Sequence, residues 1–302
     1  MKSLDVKIWA GIVTYNPNLH RFKENIESIN NQVSNIVVFD NGSNNFDDIN
    51  RMVQYYKKIV LIHSSKNKGL GYALNQICMK AFDEKVDWIL LLDQDSVSDS
   101  MCIEIFSEYF SLKQAAILCP VMFDSRRRVC TPVKLEGYTE VDECIQSGAV
   151  YNVSILKEMN FFDEWYFIDY IDYDYCISVR RKGYKIYQIS KLLLDQEAST
   201  IEPVFCHDIL LKIAKITKVE FFAKLSYRPV IDARRSYYTA RNRVYYIYKN
   251  RDMLNVAKEK WKELFANIRN IIRIRDHIGT FKAIYSGVSD GRKRIKEMEN
   301  NK

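Results

Sequence analysis

Asp93 and Asp95 stand two residues apart, directly after the apolar run Trp88-Ile89-Leu90-Leu91-Leu92. Side chains at i and i+2 of a strand point the same way, so a strand ending here aims two carboxylates at one ion or one ligand. Mg²⁺ and Mn²⁺ prefer oxygen ligands, and Mg²⁺ typically bridges one or two carboxylates to substrate phosphates while keeping several waters. A competing reading makes Asp95 or Ser96 the cap of a helix starting near Ser98. A second concentration of chemistry runs from Phe161 to Asp174, where Trp165, Tyr166, Phe167, Tyr170 and Tyr173 alternate with Asp163, Glu164, Asp169, Asp172 and Asp174. Carboxylates set among aromatic rings are candidates for proton transfer.

The elements that must position these groups alternate in type. Strands are expected at 7–13, 35–39, 59–62, 86–92 and 115–119, with helices at 19–29, 46–56 and 71–82 between them. Such alternation implies a mostly parallel α/β sheet covered on both faces. Ligands of such sheets bind beyond the carboxyl ends of the strands. Three polar clusters fall at those ends: Thr14-Tyr15-Asn16-Pro17, Asp40-Asn41-Gly42-Ser43 and Asp93-Gln94-Asp95. Parallel strands bring all three to one rim, although each alone is also ordinary turn chemistry. Short strand-like pieces follow at 129–132 and 148–151. From Tyr237 the pattern is helical and basic.

The 302 residues suffice for one large catalytic core or for a core with an appendage. Met1–Asp5 lacks the apolar segment of a signal peptide, and no uninterrupted run reaches the roughly 18 apolar residues of a membrane span. Seven cysteines without metal-type spacing are expected to be free thiols in a reducing cytoplasm. Charge is uneven: residues 241–302 hold 16 Lys and Arg against 7 Asp and Glu, while the rest sums to −2. A basic tail on a near-neutral body is expected to meet an anionic partner, either lipid headgroups or nucleic acid.

In order along the chain, Val13-Thr14-Tyr15-Asn16, Asp40–Ser43, Asn67-Lys68-Gly69-Leu70-Gly71 with Asn75, Leu92–Ser96, Gln146-Ser147-Gly148-Ala149, Asp169–Cys176 and Tyr237-Tyr238-Thr239-Ala240-Arg241-Asn242 resemble the family 2 nucleotide-sugar glycosyltransferases of the GT-A fold, most of all bacterial rhamnosyltransferases of surface-polysaccharide assembly. The resemblance spans residues 7 to 250. It implies a GT-A catalytic domain over 1–230, with a donor half to about residue 120 and an acceptor half to 230, followed by a helical extension over 231–302.

The resemblance also assigns roles. Thr14, Tyr15 and Asn16 would line the nucleoside pocket, and Asp40 would accept from the N3–H of uracil or thymine. Asn67, Gly69 and Gly71 would approach the donor closely. Asp95 would bind Mn²⁺ or Mg²⁺ directly, with Asp93 nearer the ribose or a metal-bound water. Asp172 would be the catalytic base, with Asp169 its rival, and Trp165, Asp169 and Tyr170 would meet the acceptor. Asp174 reads instead as a cap of the helix running to Arg181. Relatives complete the metal site with a His in a His-x-x-Gly setting; residues 192–199 hold neither, leaving Asp195 or His207 as the third ligand.

The implied reaction moves a hexose, most of all L-rhamnose from dTDP-rhamnose, onto a glycan or polyprenyl-diphosphate-linked acceptor, with inversion. A UDP-galactose or other UDP-hexose donor is the alternative, and a non-catalytic scaffold of the same fold a further one. Trp261, Leu264, Phe265, Ile268, Ile271 and Ile272 form an apolar stripe among cations. That stripe suits a peripheral contact with the inner face of the cell membrane, packing onto the catalytic domain, or a homodimer. Gly69-Leu70-Gly71 does not follow the first strand and Leu74 replaces the third glycine, so a dinucleotide fingerprint is absent. Nucleic-acid binding leaves the carboxylates unexplained.

Overall fold

The computed structural model describes residues 6–123, 136–195, 201–230 and 232–300. These residues fall into two compact units. The first is built on β1 (Ile8–Thr14), α1 (Leu19–Ile29), β2 (Asn35–Asp40), α2 (Phe46–Val53), β3 (Ile59–His63), α3 (Leu70–Asp83) and β4 (Trp88–Asp93). It continues with α4 (Cys102–Ser107), β5 (Ala115–Phe123), β6 (Tyr138–Glu140), β7 (Ala149–Asn152), α5 (Val153–Glu158), α6 (Ile171–Arg181) and β8 (Lys185–Asp195). The piece expected at 129–132 lies outside the described residues.

The eight strands form one sheet in the order β3-β2-β1-β4-β7-β5-β8-β6. The pairs β3–β2, β2–β1, β1–β4 and β5–β8 are parallel, and β7 and β6 run against their neighbours. Ala10, Ile12, Ile36, Val38, Leu90 and Leu92 are buried on one face against Phe22 and Ile26 of α1. Each buried Ile, Val or Leu among them contributes about 1.5–3 kcal/mol. Chain order reverses between β1 and β4, so the crevice at their carboxyl ends is where a sheet of this kind accepts ligands. Thr14 and Asp93 are the last residues of those two strands.

Two local expectations change. β4 stops at Asp93, so Asp95 stands beyond the pleat in a turn where the Ser96 N–H donates to the Asp93 carbonyl at 3.2 Å. The turn, and not strand alternation, therefore sets the spacing of the two carboxylates. The next helix begins at Cys102 with Met101 as its N-terminal cap, so neither Asp95 nor Ser96 caps it.

The second unit holds residues 168–170 together with β9 (Ile201–Pro203), α7 (His207–Thr217), α8 (Glu220–Leu225), β10 (Tyr227–Pro229), α9 (Ala233–Lys249), α10 (Val256–Arg273) and α11 (His277–Asn300). β9 and β10 pair antiparallel, and Glu202 takes Arg228 at 2.5 Å and Arg275 at 3.0 Å. Among the described residues no helix is long and apolar enough to cross a membrane.

α10 packs on α9 and α11 with an unusual face. The Arg243–Glu259 pair, at 3.7 Å, has side chains only 13% and 15% exposed. Burial pushes the Glu263 carboxyl up, against the pull of Arg243, Arg292 and Lys260. A glutamate with a raised folded-state pKa contributes stability below the ordinary glutamate range and loses it as pH rises through the folded value. Glu263→Gln is therefore expected to melt above the wild type at pH 8, with the difference closing near pH 4, as read by circular dichroism.

Candidate active site

Three residues form a row at the carboxyl rim of the first unit. The register pairs Thr14 with Asp40 and Asp40 with His63. Asp40 is fully buried. The Thr14 hydroxyl donates to its Oδ1 at 3.1 Å, the Ser43 N–H donates to Oδ2 at 3.2 Å, and His63 Nδ1 lies 2.9 Å from the same Oδ2. The His63 ring stacks on Phe46 with centroids 3.7 Å apart. His63 has no place in the sequence reading; its signal was a polar residue closing an apolar strand one position beyond the expected end.

Neighbouring loops are tied to this row. Asn16 has φ 50°, its N–H donates to Ser43 Oγ at 2.8 Å, and its Oδ1 accepts from the Asn44 N–H at 2.7 Å. Asn41 is nearly buried and acts as a latch. Its amide donates to Asn67 Oδ1 and to the Gly69 carbonyl, both at 3.2 Å, while its Oδ1 accepts from the Lys68 N–H at 2.9 Å. Asn67 Oδ1 in turn accepts from the Gly69 N–H at 2.9 Å.

The glycines of this loop serve a different neighbour from the one expected. A Cβ on Gly69, whose φ is +94°, would stand 2.8 Å from the Phe167 ring, and one on Gly71 would stand 3.2 Å from the Asp163 carbonyl. The space they leave is filled by residues 163–167 of the chain itself. The Leu70 N–H donates to the Phe167 carbonyl at 2.7 Å. Asn75 bonds the Phe162 backbone in both directions at 2.9 Å and Glu164 Oε1 at 2.9 Å. In this way α3 fixes the aromatic segment, with Trp165 half-buried in it.

The Asp93–Asp95 turn is held from several sides. The Tyr15 N–H donates to Gln94 Oε1 at 2.8 Å, Arg21 Nε donates to the Asp95 carbonyl at 2.8 Å, and Asn25 donates to the Asp93 carbonyl at 2.8 Å. The Asp93 N–H donates to Ser147 Oγ at 3.0 Å, and Ser147 and Ser96 share a hydroxyl contact of 2.8 Å. Both carboxylate residues are half-buried. Gln146, adjacent to Ser147, keeps its side-chain Nε2 buried with no hydrogen-bond partner. A buried donor left unpaired costs about 1–3 kcal/mol. Two hard oxygen donors on one rim suit a divalent cation shared with a diphosphate. Among the described residues no third His, Cys, Asp or Glu joins them in a metal-holding group. The Asp195 side chain lies outside the described residues. His207 begins α7 in the second unit, its Nδ1 3.1 Å from the Ser226 carbonyl.

Asp172 lies in the first turn of α6, half-buried, with its Oδ1 accepting from the Tyr173 N–H at 3.0 Å. It lies close enough to Tyr151 of β7 to act on it. Burial, then Cys144, Cys176 and Asp172, hold that phenol well above its ordinary range. The Tyr151 hydroxyl is buried without a hydrogen-bond partner. Asp174 is buried in the first turn of α6 and accepts from the Tyr166 hydroxyl at 3.1 Å, an interior anchor of that turn.

Within the second unit, residues 168–170 are clasped by α9. Asp169 and Tyr170 both adopt left-handed backbone, with φ 62° and 68°. The fully buried Asn242 donates to the Ile168 carbonyl at 2.5 Å and the Asp169 carbonyl at 3.2 Å. Arg235 pairs with Asp169 Oδ1 at 3.0 Å, Thr239 donates to Oδ2 at 2.7 Å, and the Tyr170 ring meets Tyr246 at 5.1 Å. Two consecutive left-handed residues other than glycine cost roughly 1–2 kcal/mol each, which these contacts offset. Both carboxylate oxygens of Asp169, which the resemblance makes the rival of Asp172, are thus engaged.

Comparison with known proteins bears on the fold and the family. The chain is 26% identical over 262 residues to dTDP-rhamnosyl transferase RfbF of Shigella flexneri, covering 82% of each chain. The fold is similar to that of S. aureus TarS 1–349 in complex with UDP-GlcNAc, with TM-score 0.57 and 14% identity over 95% of this chain and 80% of that one. It is also similar to that of GalNAc-T7 crystallised with UDP, GalNAc and Mn²⁺, with TM-score 0.53 and 11% identity. That match covers 63% of this chain but only 44% of GalNAc-T7. Residues 10–183 match the model of glycosyl transferase family 2. The chain belongs to glycosyl transferase family 2.

Proposed function

We propose that the chain is an inverting hexosyltransferase that takes L-rhamnose from dTDP-rhamnose and places it on a hydroxyl of a glycan or polyprenyl-diphosphate-linked acceptor, at the inner face of the cell membrane in surface-polysaccharide synthesis. The observation that carries the reading is the rim itself. Thr14, Asp40 and the Asp93–Asp95 turn stand at or just beyond the carboxyl ends of the neighbouring strands β1, β2 and β4, and the Asn67–Gly71 loop is tied to Asn41 directly after β2. The RfbF likeness supports the donor sugar.

Asp40 is the residue that the family resemblance assigns to the imide N–H of the base; its buried carboxylate already takes Thr14, Ser43 and His63, so base binding would have to exchange one of these contacts. Asp95 and Asp93 would hold Mn²⁺ or Mg²⁺, whose charge offsets that gathering on the departing diphosphate. Asp172 takes the proton from the acceptor hydroxyl as that oxygen bonds to the anomeric carbon. The bond from that carbon to the nucleoside diphosphate breaks on the opposite side, so one displacement inverts the anomer.

The test is incubation with dTDP-rhamnose, UDP-galactose and UDP-N-acetylglucosamine, each with Mn²⁺ and an acceptor lipid fraction, reading nucleoside diphosphate release and product configuration. Release from dTDP-rhamnose with an inverted linkage is expected. Release from a UDP-hexose alone moves the donor to the second reading, and none from any donor refutes the enzyme.

A further inference from the structure

α10 is mounted with its apolar face outward. Trp261, Leu264, Phe265, Ile268 and Ile272 fall on one face of the helix and are 44–68% exposed. Trp261 and Phe265 lie with ring centroids 6.0 Å apart on that surface. The face turned inward carries Glu259, with its Arg243 partner, and the partly buried Glu263. A helix serving only its own core does the reverse, burying the aromatics and leaving glutamates in water. A contiguous stripe of large apolar groups left in water marks an interaction surface.

Lys258, Lys260 and Arg269 are exposed alongside the stripe, and Lys262, also exposed, pairs with Glu259 at 2.6 Å. That charge decides between occupants. A second copy seated on the same face by two-fold symmetry would bring these cations against their own images, a like-charge juxtaposition that opposes pairing. An anionic bilayer meets the cations with opposite charge and the apolar side chains with hydrocarbon.

We propose that the α10 stripe is a docking surface for an anionic lipid leaflet, with Trp261, Phe265 and Ile268 entering the headgroup–acyl boundary. This deepens the transferase reading by naming the surface that would bring the chain to a lipid-borne acceptor, and it rests on that reading only for the acceptor's identity. Vesicle binding needs no turnover, so the two can fail separately.

The test is co-sedimentation of the full chain with phosphatidylcholine vesicles, with and without phosphatidylglycerol, alongside Trp261 emission taken as the difference from Trp261→Phe. Binding to the anionic vesicles with a blue shift, weakened by high salt, is expected. Phe265→Ser with Ile268→Ser is expected to lower partitioning at least about tenfold, while circular dichroism melts confirm that the double variant remains folded. Because both side chains are exposed, a second pair, Lys258→Glu with Lys260→Glu, serves if the first misfolds, and is expected to abolish the preference for anionic lipid. No partitioning, partitioning that neither pair weakens, or a solution dimer dissolved by the serine pair would overturn the proposal.

Discussion

Asp172→Asn is expected to lower kcat by about 10²–10⁴, the range that general-base catalysis contributes, with donor binding unchanged. The substitution keeps the side-chain oxygen that accepts from the Tyr173 N–H, so α6 still starts in place. What it removes is the ability to take a proton. Initial rates at saturating donor and acceptor, with donor affinity measured separately, separate the two. Asp169→Asn is the informative partner. Its oxygens face Arg235 and Thr239, so its amide loses one charge-assisted contact and costs activity about tenfold or less. If Asp169→Asn is dead and Asp172→Asn active, the base has been assigned to the wrong carboxylate.

Asp95→Ala is expected to lower kcat about 10³-fold, the scale of several kcal/mol of charge stabilisation by a bound cation. It should also remove the Mn²⁺-dependent part of the thermal stabilisation given by dTDP or UDP. Ligand that binds only the folded state raises the melting temperature by mass action, so the loss can be read without any acceptor. The backbone of the turn is held through the Asp95 carbonyl by Arg21 and through Asp93 by Asn25 and Ser147. An alanine keeps those backbone bonds, and the melting temperature of each protein without ligand is the baseline from which its stabilisation is read. Equal stabilisation of wild type and Asp95→Ala by nucleotide plus Mn²⁺ would remove Asp95 from the metal site.

Elements whose partners lie nearby in sequence were legible from residue types alone. α1 spans Leu19–Ile29 as its apolar spacing predicts, begun by Asn18 accepting from the Arg21 N–H, and β1 to β4 fall within two residues of the expected runs. The rim was legible for the same reason, because parallel strands send their ends to one side. Distant pairings were not. β6 is three exposed residues defined only by pairing with β8, and the β9–β10 pair joins segments 24 residues apart. The Asn41 latch, the His63–Asp40 contact and the Asn242 clasp all depend on which loop lies opposite. Asn41 and Asn242 stood in quoted motifs without a role, because an amide's spacing does not reveal which carbonyl it will meet. The outward face of α10 is a further case: its stripe was plain in the sequence, but whether it faced core or water was not.

The clasp on residues 168–170 also bears on the order in which the protein is made. Asn242 follows Tyr170 by 72 residues. At 5–20 residues per second the ribosome delivers it roughly 4–14 s later. Until then nothing from α9 offsets the left-handed backbone of Asp169 and Tyr170, and the peptide leading into Asp172 relaxes toward ordinary conformations. A nascent chain can thus assemble the β1–β4 rim well before the loop ahead of α6 is set. On the roles proposed for the rim and for Asp172, a translation product arrested before α9 is expected to bind donor without transferring its sugar.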